Sequence, residues 1–269
     1  MQIFDVLLVK PIINLLVIFY HGLTYVHIPY ALGFSIILLT VFIRLLMYPL
    51  TAKQLQVSKK MQELAPHMAK IKEKHKGDAK RQQEATMALY QEHKINPAAG
   101  CLPMLIQIVV LIFGLYPTLM KIVNLKAKEI VTFVNHAVYV PNLQIHQAWD
   151  TSFFGLTLGH TPGQLWTTVG PLILLVPIAT GFFQFLQSKM MAPVTPNVAL
   201  TVKSDKQDDF ATTFQKQSLY LLPVMIGFFS WNFSIGLSLY WNTFTIFGII
   251  QQYQVSGLGG LSEWIKVKK

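Results

Sequence analysis

ALGFSIILLTVFIRLLMYPL, residues 31–50, is the stretch whose reading decides the fold. As a helix at about 1.5 Å per residue it reaches about 30 Å, the thickness of a bilayer's hydrocarbon core. It carries one charge, Arg44, six residues before its end, about 9 Å inside one face by the same rise. A guanidinium buried in a bilayer costs about 2.5–3.5 kcal/mol on insertion scales. The site must therefore be wet, or the charge paired.

The rest of the composition agrees with a membrane chain. Of 269 residues, 52% are hydrophobic and 13% charged, where a soluble domain carries nearer a quarter charged. That excludes a pair of soluble domains and predicts several spans in one unit. The net charge of +10 points first to positive loops on the cytoplasmic side and second to nucleic acid. A single cysteine, Cys101, excludes an intrachain disulfide and a cysteine metal cluster. No cysteine near the start offers lipid attachment, and Asp5 and Lys10 interrupt the layout of a cleaved signal.

Outward from the opening span, residues 1–28 are apolar but broken by Asp5, Lys10, Pro11, Asn14, His21 and His27. With Phe19, Tyr20 and Tyr25 they predict an external helix lying at the headgroup level, a marginal span being the alternative. Residues 51–98 are rich in Lys and Arg. Val57, Met61, Leu64, Met68 and Ile71 recur there as a short heptad seam. Pro66 predicts a kink and Gly77-Asp78 a turn, so this is a helical hairpin outside the membrane. The second span is placed at 101–123, an external loop at 124–166, and the third span at 167–188. A polar loop follows at 189–217. The long apolar run beyond it divides at Asn232–Gly236 into a fourth span, 218–232, and a fifth, 235–253, before a tail at 254–269. Most Lys and Arg fall in the hairpin, the 189–217 loop and the tail, which makes these cytoplasmic and puts the N-terminus outside.

That topology gives depth to the polar residues. Arg44 with Thr40 one turn deeper, Gln107, and Gln184 with Gln187 fall on three helices in the inner leaflet, and none of the five spans holds an acid to pair Arg44. One solution is a water-filled recess open to the cytoplasm; the other is an arginine snorkelling to the headgroups beside glutamines that join helices. Tyr240 and Trp241 lie in the fifth span, where aromatics at helical spacing more often pack. No phosphate-binding loop, nucleophile with base, or carboxylate pair occurs. No enzymatic activity, cofactor or metal is expected. The predicted fold is an all-α integral membrane protein: five transmembrane helices around a hydrophilic groove, a cytoplasmic hairpin and an external interfacial helix.

GFSIILLTVFIRLLMYPLTAKQ, INPAAGCLPMLIQ, and SIGLSLYW with IIQQ shortly after closely resemble the YidC/Oxa1/Alb3 family of membrane protein insertases, in the bacterial form without a large external domain. The resemblance covers about residues 15–255. It implies a groove whose arginine is Arg44, with Thr40, Tyr240 and Trp241 beside it and Gln187 at the end of the third span. Ser234 stands where the family often has proline, and the short tail puts tail-mediated ribosome docking in doubt.

The resemblance implies a monomeric insertase and chaperone of the bacterial plasma membrane. Its partners would be nascent membrane proteins, the ribosome, the Sec translocon and the lipid bilayer, with no DNA. Arg44 would attract acidic client residues without nucleotide hydrolysis, and on charge alone a lysine there would largely serve. The alternatives are a small transporter or channel with an anion-attracting arginine, and a purely structural assembly factor.

Overall fold

Residues 2–96, 105–192 and 219–264 are described by a computed structural model, and most of them are helical. INPAAGCLP beyond Asn96, the KSDKQDD run and the last lysines lie outside the described residues. The chain forms two units. One comprises Met1–Met47, Leu105–Gly181 and Ile226–Phe247, the other Tyr48–Met104, Phe182–Met225 and Gly248–Lys269.

In the first unit, α1 (Asp5–Tyr25) packs along α2 (Ala31–Leu46). The contact is apolar: Ile12, Ile13, Leu16 and Val17 of α1 meet Leu32, Ile36 and Leu39 of α2 in one core. Leu32, Ile36, Thr40 and Arg44 recur every four residues and are all buried. The helical period thus places Arg44 on the inward stripe, while Leu38, Phe42, Leu45 and Leu46 face outward.

The helix does not run to residue 50 as the sequence predicts. It ends at Leu46, and α3 (Tyr48–Glu63) starts afresh after Met47. Pro49 is the cause. It has no N–H to give, and its ring crowds both the carbonyl four residues back and the residue before it.

The 124–166 segment, expected as a loop, is largely ordered. After α6 (Leu105–Asn124) it folds into α7 (Ala127–Ala137). Glu129 accepts a bond from the Lys126 N–H at that helix's start, and Ile130, Val134 and Ala137 form its buried face. Asn14 of α1, only 5% exposed, donates to the Ala137 carbonyl at 3.0 Å and accepts from the Tyr139 N–H at 2.8 Å. A residue that argued for a headgroup position is therefore spent on closing the end of α7.

Further on, β1 (Ser152–Phe153) and β2 (Leu156–Thr157) form an antiparallel hairpin. The Phe153 ring lies against Gly33 of α2, where there is no room for a Cβ. The helix α8 (Pro162–Met191) opens on a capping box of Thr161 and Gln164. The break between α9 (Leu219–Ser230) and α10 (Ile235–Ser256) falls where Asn232–Gly236 predicts it.

In the second unit the hairpin is α3, α4 (Ala65–Lys74) and α5 (Ala79–Glu92). Leu64, Leu89, Tyr90 and Ile95 are its buried core, with Val57, Met61, Met68 and Ile71 packed against them. The heptad seam is thus the hydrophobic contact itself. Pro66 sits in the first turn of α4 after a break at Leu64, where the missing N–H costs nothing. Gly77 adopts φ +86°, and the Asp78 side chain caps α5 by accepting from the Arg81 N–H at 3.0 Å.

Among the described residues, three helices are long and apolar enough to cross a bilayer: Asp5–Tyr25, Leu105–Asn124 and Pro162–Met191. The pair Ala31–Leu46 and Tyr48–Glu63, broken at Met47, makes a fourth if counted as one. The N-terminal helix, expected on the surface, meets the criterion. By contrast α9 is short, and α10 carries Asn242, Thr243, Thr245, Gln251 and Gln252.

Candidate functional site around Arg44

Arg44 reaches across to α10, and a single residue there holds it. Its Nη2 donates to the Phe244 carbonyl at 2.7 Å. Its guanidinium carbon lies 3.4 Å from the centre of the Phe244 ring, a cation–π stack. The side chain is 5% exposed, and its Nε–H is buried with no hydrogen-bond partner among the described residues. An unmade bond on a buried charged donor costs about 1–3 kcal/mol or more. The site therefore holds a cation whose donors are only partly used.

Tyr240 and Phe244 lie one turn apart on α10, so their rings sit together, 5.7 Å between centroids. Tyr240 is 6% exposed, and Arg44, Phe244 and Tyr240 form a continuous run of contacts. Thr40 is buried, but its hydroxyl is committed to the Ile36 carbonyl at 2.6 Å. Trp241 is half-buried and tilts onto Phe233, 6.2 Å between centroids. Its neighbour Asn242 buries a side-chain oxygen that accepts no bond among the described residues.

Of the residues the sequence singles out, Arg44 and Tyr240 thus both meet Phe244, while Thr40 lies one turn from Arg44 on α2 and Trp241, next to Tyr240 on α10, packs on Phe233. Gln107 stands half-buried on α6, while the bond to Arg44 comes from α10. Gln184 and Gln187, both half-buried, belong to the second unit. In that unit Gln251 is fully buried and donates to the Tyr48 carbonyl at 3.2 Å and to the Thr51 hydroxyl. Gln252 donates to the Met190 carbonyl at 3.5 Å. The QQ pair thereby ties the end of α10 to the start of α3 and the end of α8.

Phe244 is the residue that sequence reading misses. Its signal is the spacing of four from Tyr240, which puts both rings on one helix face. Phenylalanine in a span is otherwise unremarked, and only the fold shows which cation it meets.

Fold and site together define a mostly helical membrane protein with a buried arginine, incompletely satisfied among the described residues, where α2 meets α10. A family model described as 60Kd inner membrane protein matches residues 23–258, and the chain belongs to this family, the YidC/Oxa1/Alb3 family. It is 34% identical over 250 residues to the chloroplast inner membrane protein ALBINO3 of Arabidopsis thaliana, a match covering 89% of this chain and 49% of that protein. It is 33% identical over 253 residues to the membrane protein insertase YidC of Geobacter sulfurreducens, covering 93% of this chain and 37% of that one. The insertase YidC of Oceanobacillus iheyensis matches at 33% identity over 224 residues, covering 81% of this chain and 72% of that protein. The chain thus spans about half or less of the length of the first two.

Proposed function

We propose that this protein is a membrane protein insertase and chaperone. It binds hydrophilic parts of nascent membrane proteins beside Arg44 and releases their apolar segments into the bilayer without nucleotide hydrolysis. The observation that carries the proposal is the buried Arg44, whose Nε–H meets no partner, and which has no ion pair, among the described residues. A charge held that way suits a transient partner better than a structural role, because a permanent partner would fill its donors. The YidC relatives, named membrane protein insertases, support the same reading. No observation favours the transporter alternative.

The topology that accompanies it has five spans, with residues 1–28 on the external face, the hairpin and tail in the cytoplasm, and the protein in a bacterial plasma membrane as a monomer. The ribosome, the Sec translocon and lipid are its further partners, met through the basic hairpin. Entry of a client's acidic residue is favoured because an ion pair strengthens where water is excluded. Release is driven by burial of apolar surface in lipid, about 25 cal/mol per Å².

The test is insertion of a single-span client into liposomes carrying the protein, using an end to be translocated that bears Asp and Glu, and a twin with Asn and Gln. Arg44→Ala is expected to lower insertion of the acid-bearing client about tenfold or more, the loss typical of a buried charged partner, and to leave its twin less affected. Equal insertion of the acid-bearing client by wild type and Arg44→Ala would sink the assignment of this site.

A further inference from the structure

A guanidinium offers a carboxylate two in-plane edges, and one of them is the pair Nε–H and Nη2–H. In Arg44 this edge is half-filled. Nη2 is bonded to the Phe244 carbonyl at 2.7 Å, and the neighbouring Nε–H has no partner among the described residues. One carbonyl oxygen has taken the place where a carboxylate would meet both donors. The Phe244 ring meanwhile covers a face of the same guanidinium at 3.4 Å. Approach from that face is closed, whereas approach in the plane is not obstructed by the ring. A backbone acceptor and a stacked ring from one residue thus set both the plane and the free donor of the only charge in α2.

We infer that Phe244 is a positioning residue for Arg44, and that a client's carboxylate binds by replacing the Phe244 carbonyl on the Nε/Nη2 edge while the ring stays stacked. The inference rests on the insertase reading above and adds how the acid is recognised. Recognition is by an in-plane fork held flat by an aromatic face, more than by charge. The Phe244 carbonyl serves as a stand-in that keeps Nη2 satisfied between clients. It is a weaker partner than a carboxylate, since it is neutral and fills one donor where two are offered. Lysine cannot take this role, because an ammonium has neither a flat face to stack nor a fork.

The experiment measures client selectivity, the ratio of acid-bearing to acid-free insertion, with the reconstituted full chain. Phe244→Leu keeps the backbone carbonyl and removes the ring; selectivity is expected to fall about threefold to tenfold, the scale of a lost cation–π contact. Phe244→Tyr keeps a ring and is expected to hold wild-type selectivity. Arg44→Lys should lower selectivity in the wild-type background and add nothing further in the Phe244→Leu background, because the fork and the ring act as one unit.

If Phe244→Leu lowers both clients by the same factor, or Arg44→Lys costs the same in both backgrounds, Phe244 merely packs and the inference is overturned. In either case a selectivity loss in Arg44→Ala leaves the insertase reading standing. Unchanged selectivity in Arg44→Ala removes the inference together with the assignment of client binding to Arg44.

Discussion

Arg44 and the hairpin lysines carry the same charge in opposite circumstances. Lys53, Lys59, Lys60, Lys70, Lys74, Lys80 and Lys94 are exposed along and just beyond α3–α5. Arg44 is 5% exposed and held by one aromatic residue. Water solvates the lysines, so their number shapes a long-range field and little else locally. The protein must solvate Arg44 itself, and it does so incompletely. The two regions also differ in what holds them. The Arg44 region belongs to a large apolar core shared by α1, α2, α6, α7 and α10, whereas the hairpin depends on a cluster with four buried residues.

That difference can be broken most sharply at Leu64. Leu64→Ala removes a buried side chain from the small cluster and is expected to cost the hairpin about 2–5 kcal/mol. Hydrogen exchange should then speed up across α4 and α5 and not in α1 or α2. Equal acceleration in α1 and α2 would show that the two cores are not independent.

Arg44→Met is the converse case. It removes a buried, partly unsatisfied charge while keeping apolar bulk, so stability should change by less than about 1 kcal/mol, or rise. A thermal midpoint that drops by many degrees would instead make Arg44 a structural residue.

A smaller effect is expected at Asp78, whose side chain caps α5. Asp78→Ala should cost about 1 kcal/mol, seen as fraying at the start of α5 and not at its end.

The smallest effect is a pH dependence. Burial pushes the Tyr90 phenol up from its ordinary value, and its hydroxyl donates to the Met68 sulfur at 3.3 Å. A raised folded value means the folded hairpin holds its proton longer than the unfolded chain. The contribution is therefore fully present below the ordinary tyrosine range and is lost as pH rises through the raised value. Hairpin helicity should decline more gently at alkaline pH in Tyr90→Phe than in wild type.

Much of this comparison is legible in the residues. Most of the hairpin could be read: a seam at spacings of four and three, a turn at Gly77-Asp78, and a proline expected to kink the first arm, where the structure instead starts a new helix. Such local signals need no partner to be understood. The break at Asn232–Gly236 is of the same kind. Pro49 gave an equally local signal, yet allowing proline inside a membrane helix put the end of α2 four residues too far along.

Other features were hidden because their meaning depends on residues far away in the chain. Asn14 looks like a surface residue until Ala137 and Tyr139 arrive beside it, and 124–166 looks like a loop until Ile130 and Val134 find α1. The 31–50 stretch shows the division most clearly. Its apolar run, its period of four and its lone guanidinium are properties of the sequence, and they alone put a charge on the inward stripe of a membrane helix. That the charge would rest on Phe244, 200 positions further along the chain, with its Nε–H unmet among the described residues, was decided by tertiary structure. Periodicity fixes which way a side chain points within its own helix, but only the packing of two helices sets what it meets there.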